Sequence, residues 1–269
     1  MTTAGLIIRH RSTLKFLFIG TLSLAMLIPL TMIRSVVAER QDMQDTAARV
    51  IASRWGGPQT VGGLVALREA EAMSAGPRTV RRQVEWRART LSELAIEARL
   101  TVEERYLGIY RVPVYTGALT IRGKLGVESY DAERAPGGLT LWLPLSDVRG
   151  LREISTLRIG PLEIPAQPLA ARPAQLSGLQ FTIPAADRQA LAGQGFVDYQ
   201  LELTLAGSGS LCFLPLAETS RVSLVADWPH PEFVGQFLPI EREIGTDSVT
   251  KTDYITVTEP GTGNAMHVA

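Results

Sequence analysis

Residues 16–33 read FLFIGTLSLAMLIPLTMI, eighteen consecutive positions without a charge. At about 1.5 Å rise per residue, a helix of that length covers ~27 Å, close to the hydrocarbon thickness of a bilayer. Backbone in hydrocarbon must satisfy its own hydrogen bonds, so a run that enters a membrane does so as helix. Gly20 and Pro29 would weaken a soluble helix but are tolerated in a membrane span. A cleaved secretory signal is the rival reading, with Val36-Val37-Ala38 as the cleavage site. The run is longer than a signal's apolar region, and Pro29 and Arg34 separate it from Ala38, so the expectation is an uncleaved anchor. Arg9, Arg11 and Lys15 precede the span and Arg34 and Arg40 follow it, a modest bias toward a cytoplasmic N-terminus and a periplasmic remainder.

The rest of the 269 residues is long enough for one large core or two smaller ones. Lys+Arg and Asp+Glu each number 27, so the formal net charge is zero. A balanced chain lacks the basic surface that neutralises phosphates, which argues against a nucleic-acid partner. The single cysteine, Cys212, allows no internal disulfide. It lies between Leu211 and Phe213, with nothing nearby in sequence to lower its pKa, and reads as inert packing.

Behind the anchor, Ala38 to Trp55 contains no Gly or Pro, and Met43, Ala47, Val50, Ile51 and Trp55 recur at helical steps. Gly56-Gly57-Pro58 then stops the helix. From Gln59 the period changes to two. Leu94, Ile96, Ala98, Leu100 and Val102 alternate with other residues, as do Leu139 to Leu145, Leu201 to Leu205, and Val222 with Leu224. Turn residues separate these runs, among them Pro136-Gly137-Gly138 and Gly207-Ser208-Gly209-Ser210, the latter read as a hairpin turn. No long amphipathic helix interrupts the strands. The pattern predicts a mainly β chain: an antiparallel β-sandwich-like extracytoplasmic domain preceded by one N-terminal transmembrane helix. The expected divisions are 1–37 (cytoplasmic stub and anchor), 38–57 (juxtamembrane helix), 58–240 (β-rich periplasmic domain) and 241–269 (a polar tail without order).

Three segments carry a family resemblance. Arg54-Trp55-Gly56-Gly57-Pro58-Gln59-Thr60 resembles the start of the CreD family of bacterial inner-membrane proteins. Tyr106-Leu107-Gly108-Ile109-Tyr110-Arg111-Val112-Pro113-Val114-Tyr115 resembles its middle segment. Asp227-Trp228-Pro229-His230-Pro231-Glu232-Phe233, with Gly235 and Phe237-Leu238-Pro239, resembles its third signature. Order and spacing agree over roughly residues 15 to 240. The resemblance implies an inner-membrane protein tied to envelope integrity and to responses to envelope stress and β-lactams, with no catalytic activity attached. This chain departs from the family pattern in a weaker apolar strand at Val61 to Leu67 and in a polar tail where the family continues into several membrane helices. A short or truncated family member is the expectation.

Asp227, His230 and Glu232 form the one cluster of catalytic or metal-ligand residue types. The prolines flanking His230 keep these side chains off a common helical face, so a braced turn with Trp228 and Phe233 packed is the preferred reading over an acid–base or metal site. No nucleophile elbow, zinc-binding helix, paired C-x-x-C or phosphate loop is present. Tyr106, Tyr110, Arg111 and Tyr115, with Trp228 and His230, are the candidate interaction surface, Tyr106 and Tyr110 being assigned to one strand face and Tyr115 to the other. Arg78 to Arg89 make a basic run around Trp86, read as a solvated face.

The functional expectation is a non-catalytic inner-membrane protein contributing to envelope integrity, needing no cofactor and no metal. Its expected partners are the lipid bilayer and other inner-membrane or cell-wall components. The alternative is a membrane-anchored module binding a glycan, peptide or lipid, and a third reading is an enzyme using His230.

Overall fold

The computed structural model describes residues 3–75, 80–126, 139–168, 177–191, 193–228, 232–235, 241–244, 250–257 and 266–268. The chain divides into two compact units, Met1–Arg49 and Val50–Ala269.

Helix α1 (Thr3–Trp55) runs unbroken through the apolar stretch and the polar stretch after it. Phe16 is 74% and Met26 71% exposed, and the apolar window is uncovered among the described residues. An uncovered apolar cylinder of this length suits lipid, not water. Inside it the Thr21 hydroxyl donates to the Leu17 carbonyl at 2.9 Å and the Thr31 hydroxyl to the Ile28 carbonyl at 2.8 Å. Neither hydroxyl is left unpaired in hydrocarbon. Pro29 removes one amide donor, a break that a membrane span accommodates.

The strands that follow are β1 (Gln59–Gly62), β2 (Val65–Ala75), β3 (Val80–Leu107), β4 (Tyr110–Gly126), β5 (Leu139–Pro144), β6 (Leu151–Ile154), β7 (Leu157–Ile159) and β8 (Leu162–Ile164). After them come β9 (Gln167–Pro168), β10 (Gly178–Ile183), β11 (Phe196–Ser208), β12 (Leu211–Leu214), β13 (Ala217–Ala226), β14 (Phe233–Gly235), β15 (Glu241–Ile244), β16 (Thr250–Val257) and β17 (Met266–Val268).

The spine is β3. Its first part, Val80 to Thr90, pairs with β2, and its second, Glu93 to Leu107, pairs with β4. The sheet therefore runs β8-β7-β11-β4-β3-β2-β5-β10-β9, and β10 also touches β8, nearly closing it. On the other edge of β3, β13 pairs in parallel from Leu91 to Leu100 and carries β16 and β15 beyond it. The remaining ladders of this sheet are antiparallel. A smaller sheet has the order β1-β12-β17-β14, with β1 parallel to β12.

Alternation in the sequence becomes alternation of burial. Leu94, Ile96, Ala98 and Leu100 are buried, whereas Glu93, Glu97 and Arg99 face out. Leu141, Leu143 and Phe181 from one half of the sheet and Ile96, Ile121 and Leu201 from the other join in one buried apolar cluster. That shared core makes a mainly β, antiparallel, sandwich-like body.

Two expectations change. Gly207-Ser208-Gly209-Ser210 is not a hairpin turn: β11 belongs to the large sheet and β12 to the small one. Gly209, at φ 78°, turns the chain from one to the other, and the turn's polar groups bond elsewhere, as described below. The expected unordered tail contains β15, β16 and β17. Thr250 to Val257 is rich in Thr, Ile and Val, which suit strands, and it pairs along β13, whose other side is already taken by β3.

Phe181 is fully buried. Its replacement by alanine should lower the unfolding free energy by about 3–5 kcal/mol, read from denaturant titration of the detergent-solubilised chain, with the denaturant slope unchanged.

Candidate functional site

A helix that ends where a strand must begin leaves its last carbonyls and the next amides without regular partners. Here that junction is residues 55–60, from the last residue of α1 to the second of β1 and within the first of the three signature segments, and side chains and turns from two distant segments complete it. Gly56 closes the helix, its amide donating to the Ala52 carbonyl at 2.9 Å. At φ 130° it occupies backbone space that a side chain rarely adopts, and a Cβ there would meet the Ala206 carbonyl oxygen at 2.5 Å.

From one side, Arg152 Nη2 donates to the Trp55 carbonyl at 2.9 Å. Ser146 Oγ donates to the Pro58 carbonyl at 3.1 Å and accepts from the Thr60 amide at 2.8 Å, while the Ser146 amide donates to the Thr60 carbonyl at 3.1 Å. From the other side, Ser208 Oγ donates to the Gly56 carbonyl at 2.8 Å and the Ser208 amide to the Gly57 carbonyl at 3.3 Å. The Ser210 carbonyl accepts the Gln59 amide at 3.0 Å. This is where the Gly207–Ser210 turn spends its hydrogen bonds.

The second signature packs on the first. Trp55 Nε1 donates to the Tyr115 carbonyl at 3.2 Å, and the Tyr115 hydroxyl donates to the Ser210 carbonyl at 2.9 Å. Two guanidinium groups lie against the Trp55 ring, Arg105 at 4.5 Å and Arg152 at 5.3 Å from its centroid. The third signature reaches the same end of β3. Asp227 Oδ1 accepts from the Val102 amide at 2.6 Å, and the Asp227 amide donates to the Leu100 carbonyl at 3.4 Å. Val102 is the cross-strand partner of Tyr115. Three segments far apart in sequence thus meet around residues 100–115, which no single segment reveals.

Of the residues expected to form an interaction surface, Tyr106 and Arg111 do come together as cross-strand partners, with the Arg111 guanidinium 5.9 Å from the Tyr106 ring centroid. The Tyr106 hydroxyl donates to Glu104 at 3.0 Å, and Arg111 pairs with Glu104 at 3.7 Å. Tyr110 is half-buried and faces Leu107 across the hairpin. The chain reverses at Gly108 between Tyr106 and Tyr110, so the assignment of those two to one face fails. Tyr115 is buried and therefore belongs to the packing, not to a surface. Burial holds its hydroxyl well above the ordinary tyrosine range, offset only in part by a hydrogen bond from the Gln59 backbone. Trp228 is half-buried against the core, as is Phe233. His230 lies outside the described residues. Arg89 is exposed; the other side chains of the basic run also fall outside the described residues. Cys212 is buried in β12, its thiol pushed up to about 11 by desolvation. Among the described residues no group of three or more His, Cys, Asp or Glu side chains could hold a metal ion.

Ser146 and Arg152 escaped sequence reading, and Ser208 and Ser210 read there only as part of a hairpin turn. They stand about 90 to 150 positions from the segment they serve, and nothing local to any of them points to it.

The family profile described as inner membrane protein CreD matches residues 11–252. The inner membrane protein CreD of Escherichia coli (strain K12) is 29% identical over 230 residues, covering 82% of this chain and 50% of that protein. The chain thus spans about half the length of this curated relative. Among solved structures, an M1 zinc metallopeptidase from Deinococcus radiodurans aligns at a TM-score of 0.31 and 10% identity, over 67% of this chain and 42% of that one. So low a likeness carries no argument.

Asp147 provides a pH test. It accepts from the Arg149 amide at 3.0 Å and from Arg149 Nε and Nη2, each at 2.9 Å, and the guanidinium holds its carboxyl below the usual carboxylate range. A depressed native pKa gives stability that is complete above the unfolded value, near 3.9, and lost as pH falls through the lower native value. Asp147→Asn should therefore lower the melting temperature at pH 7 and leave the variant and the parent alike at the acid end of a melting-temperature profile.

Proposed function

Because the chain belongs to the CreD family of inner membrane proteins, we propose that it supports the integrity of the cell envelope by contact and not by catalysis, with its N-terminus cytoplasmic and its β body periplasmic. The observation that carries this reading is the fastening of residues 55–60. A domain that catalyses on a diffusing substrate has no need to be bonded so completely to the end of its membrane helix, whereas one that holds or senses a neighbouring envelope component does. The orientation rests on the Lys and Arg residues at 9, 11 and 15 that precede the span. The exposed tip of the β3–β4 hairpin, with Tyr106 61% and Ile109 81% exposed, supplies a contact surface of the aromatic and apolar kind favoured in interfaces. The partners are the bilayer and neighbouring inner-membrane or cell-wall components.

Complementation in a strain lacking the gene tests this, scored as survival on detergent and β-lactam. His230→Ala should restore survival fully. Trp55→Ala, present in the membrane at parental level, should restore little. Loss of survival with His230→Ala in a folded protein would instead point to catalysis. Protease added to spheroplasts should degrade the β body, and a protected body would reverse the orientation.

A further inference from the structure

Among the described residues, the large apolar side chain most open to water lies outside the apolar run. Ile109 is 81% exposed, against 74% for Phe16. It sits with Gly108 in the two-residue turn between β3 and β4, where Gly108, at φ 62°, supplies the left-handed step and Leu107 faces Tyr110 across the ladder. After a glycine in that place the second turn residue is usually Asn, Asp or Ser, which water solvates. The turn itself gives no reason for an isoleucine there. Tyr106 and Leu107, 61% and 38% exposed, extend the apolar knob. Behind it, Arg105 pairs with Glu103 at 2.8 Å and Arg111 with Glu104 at 3.7 Å. These four charges cancel, so the knob selects its partner by apolarity.

We propose that this hairpin tip inserts into the surface of the bilayer that holds α1, with Ile109 and Leu107 among the upper acyl chains and Tyr106 and Arg111 at the headgroups. A tyrosine ring has one apolar and one wet end and suits that level. The stem of Arg111 lies along apolar surface while its guanidinium keeps to water. The tether is short. From Glu39, the first acidic residue past the run, to Trp55 the helix rises only ~24 Å, and less along the membrane normal when the span tilts. Arg105 lies on the Trp55 ring, and the four residues from it to Ile109 add ~13 Å of reach.

Other partners fit less well. A small ligand needs a concave site, and a hairpin tip is convex. Three side chains expose far less than the ~800 Å² that each partner of a stable protein complex covers. Lipid needs no such area, because an anchored chain meets it at a fixed and high effective concentration. The inference rests on the reading of the tip as a contact surface and names its partner; it holds for either orientation of the chain.

The test uses the full chain reconstituted in phosphatidylcholine vesicles, with Cys212→Ser as background and one environment-sensitive nitrobenzoxadiazole label at Ile109→Cys. The control label is at Glu163→Cys in β8, whose cross-strand partner Arg158 lies, through Gln200, beside Arg122, ~40 Å along β4 from the tip. The label at 109 should emit at shorter wavelength than the control and resist aqueous iodide. Lipid carrying a nitroxide high on its acyl chain should quench it roughly twofold more than the control. Ile109→Asp, with the label moved to Leu107→Cys, should abolish that quenching at an unchanged melting temperature. The proposal is overturned if iodide quenches both labels alike, or if Ile109→Asp changes nothing. A tip label shielded from iodide and from lipid nitroxide together, as under a protein partner, overturns it too. Complementation reads the envelope role separately: a chain that restores survival with its tip in water overturns insertion and leaves that role standing.

Discussion

The structure depends on one constraint: the backbone polar groups where α1 ends and β1 begins lack regular partners in either element and find them in distant segments, at Gly56 and Gln59 in buried surroundings. Helix and sheet satisfy their own interior groups, but the end of the one, the start of the other and Gly56 to Pro58 between them need partners from elsewhere. The chain solves this with Ser146 and Arg152 on one side and Ser208 and Ser210 on the other, each bonding backbone atoms of residues 55–60. A neutral intramolecular hydrogen bond adds only about 1 kcal/mol net, whereas each buried group left unmade costs about 1–3 kcal/mol. The joint is therefore held chiefly at Gly56 and Gln59, where undoing a bond strands a buried group, while the more exposed bonds at Trp55, Pro58 and Thr60 add less.

Satisfying those groups fixes more than the joint. Ser208 and Ser210 sit where the chain leaves β11 for β12, so the same bonds hold the large sheet to the small one. Tyr115, bonded to Ser210, lies opposite Val102, whose amide is taken by Asp227. The segment after β13 is thereby tied to the strand that both parts of the sheet share. The cation–π contacts of Arg105 and Arg152 with Trp55 are partly exposed and each worth about 0.5–1 kcal/mol. They set the orientation of the ring more than they hold the fold, for which the buried Leu, Ile and Phe residues of the common core are responsible.

Much of this could be read from the residues. The charge-free run at 16–33 gave the membrane helix, Gly56-Gly57-Pro58 its end, and Leu94 to Leu100 the face that β3 buries. Such features are local: length, period and turn chemistry act over a few positions. What could not be read was register. Nothing near Val102 shows that its amide meets the Asp227 carboxylate, because 125 positions separate the two. Ser208 looked like part of a hairpin because its glycines satisfy that local pattern, while its true partners lie some 150 positions earlier. Tyr115 looked like a surface tyrosine because alternation names two faces without saying which is covered. The polar tail misled for a related reason. Thr-rich composition suits a solvated coil until an open strand edge, such as that of β13, offers it a ladder.

The central claim is that residues 56–60 are as firmly bonded as the sheet they join. Hydrogen exchange of the full chain in a lipid nanodisc, followed by mass spectrometry of peptides spanning this segment, measures that directly. The account predicts that the amides of Gly56, Gln59 and Thr60 exchange as slowly as those of β3 and β4. Exchange within seconds, at the rate of an open linker, would contradict it.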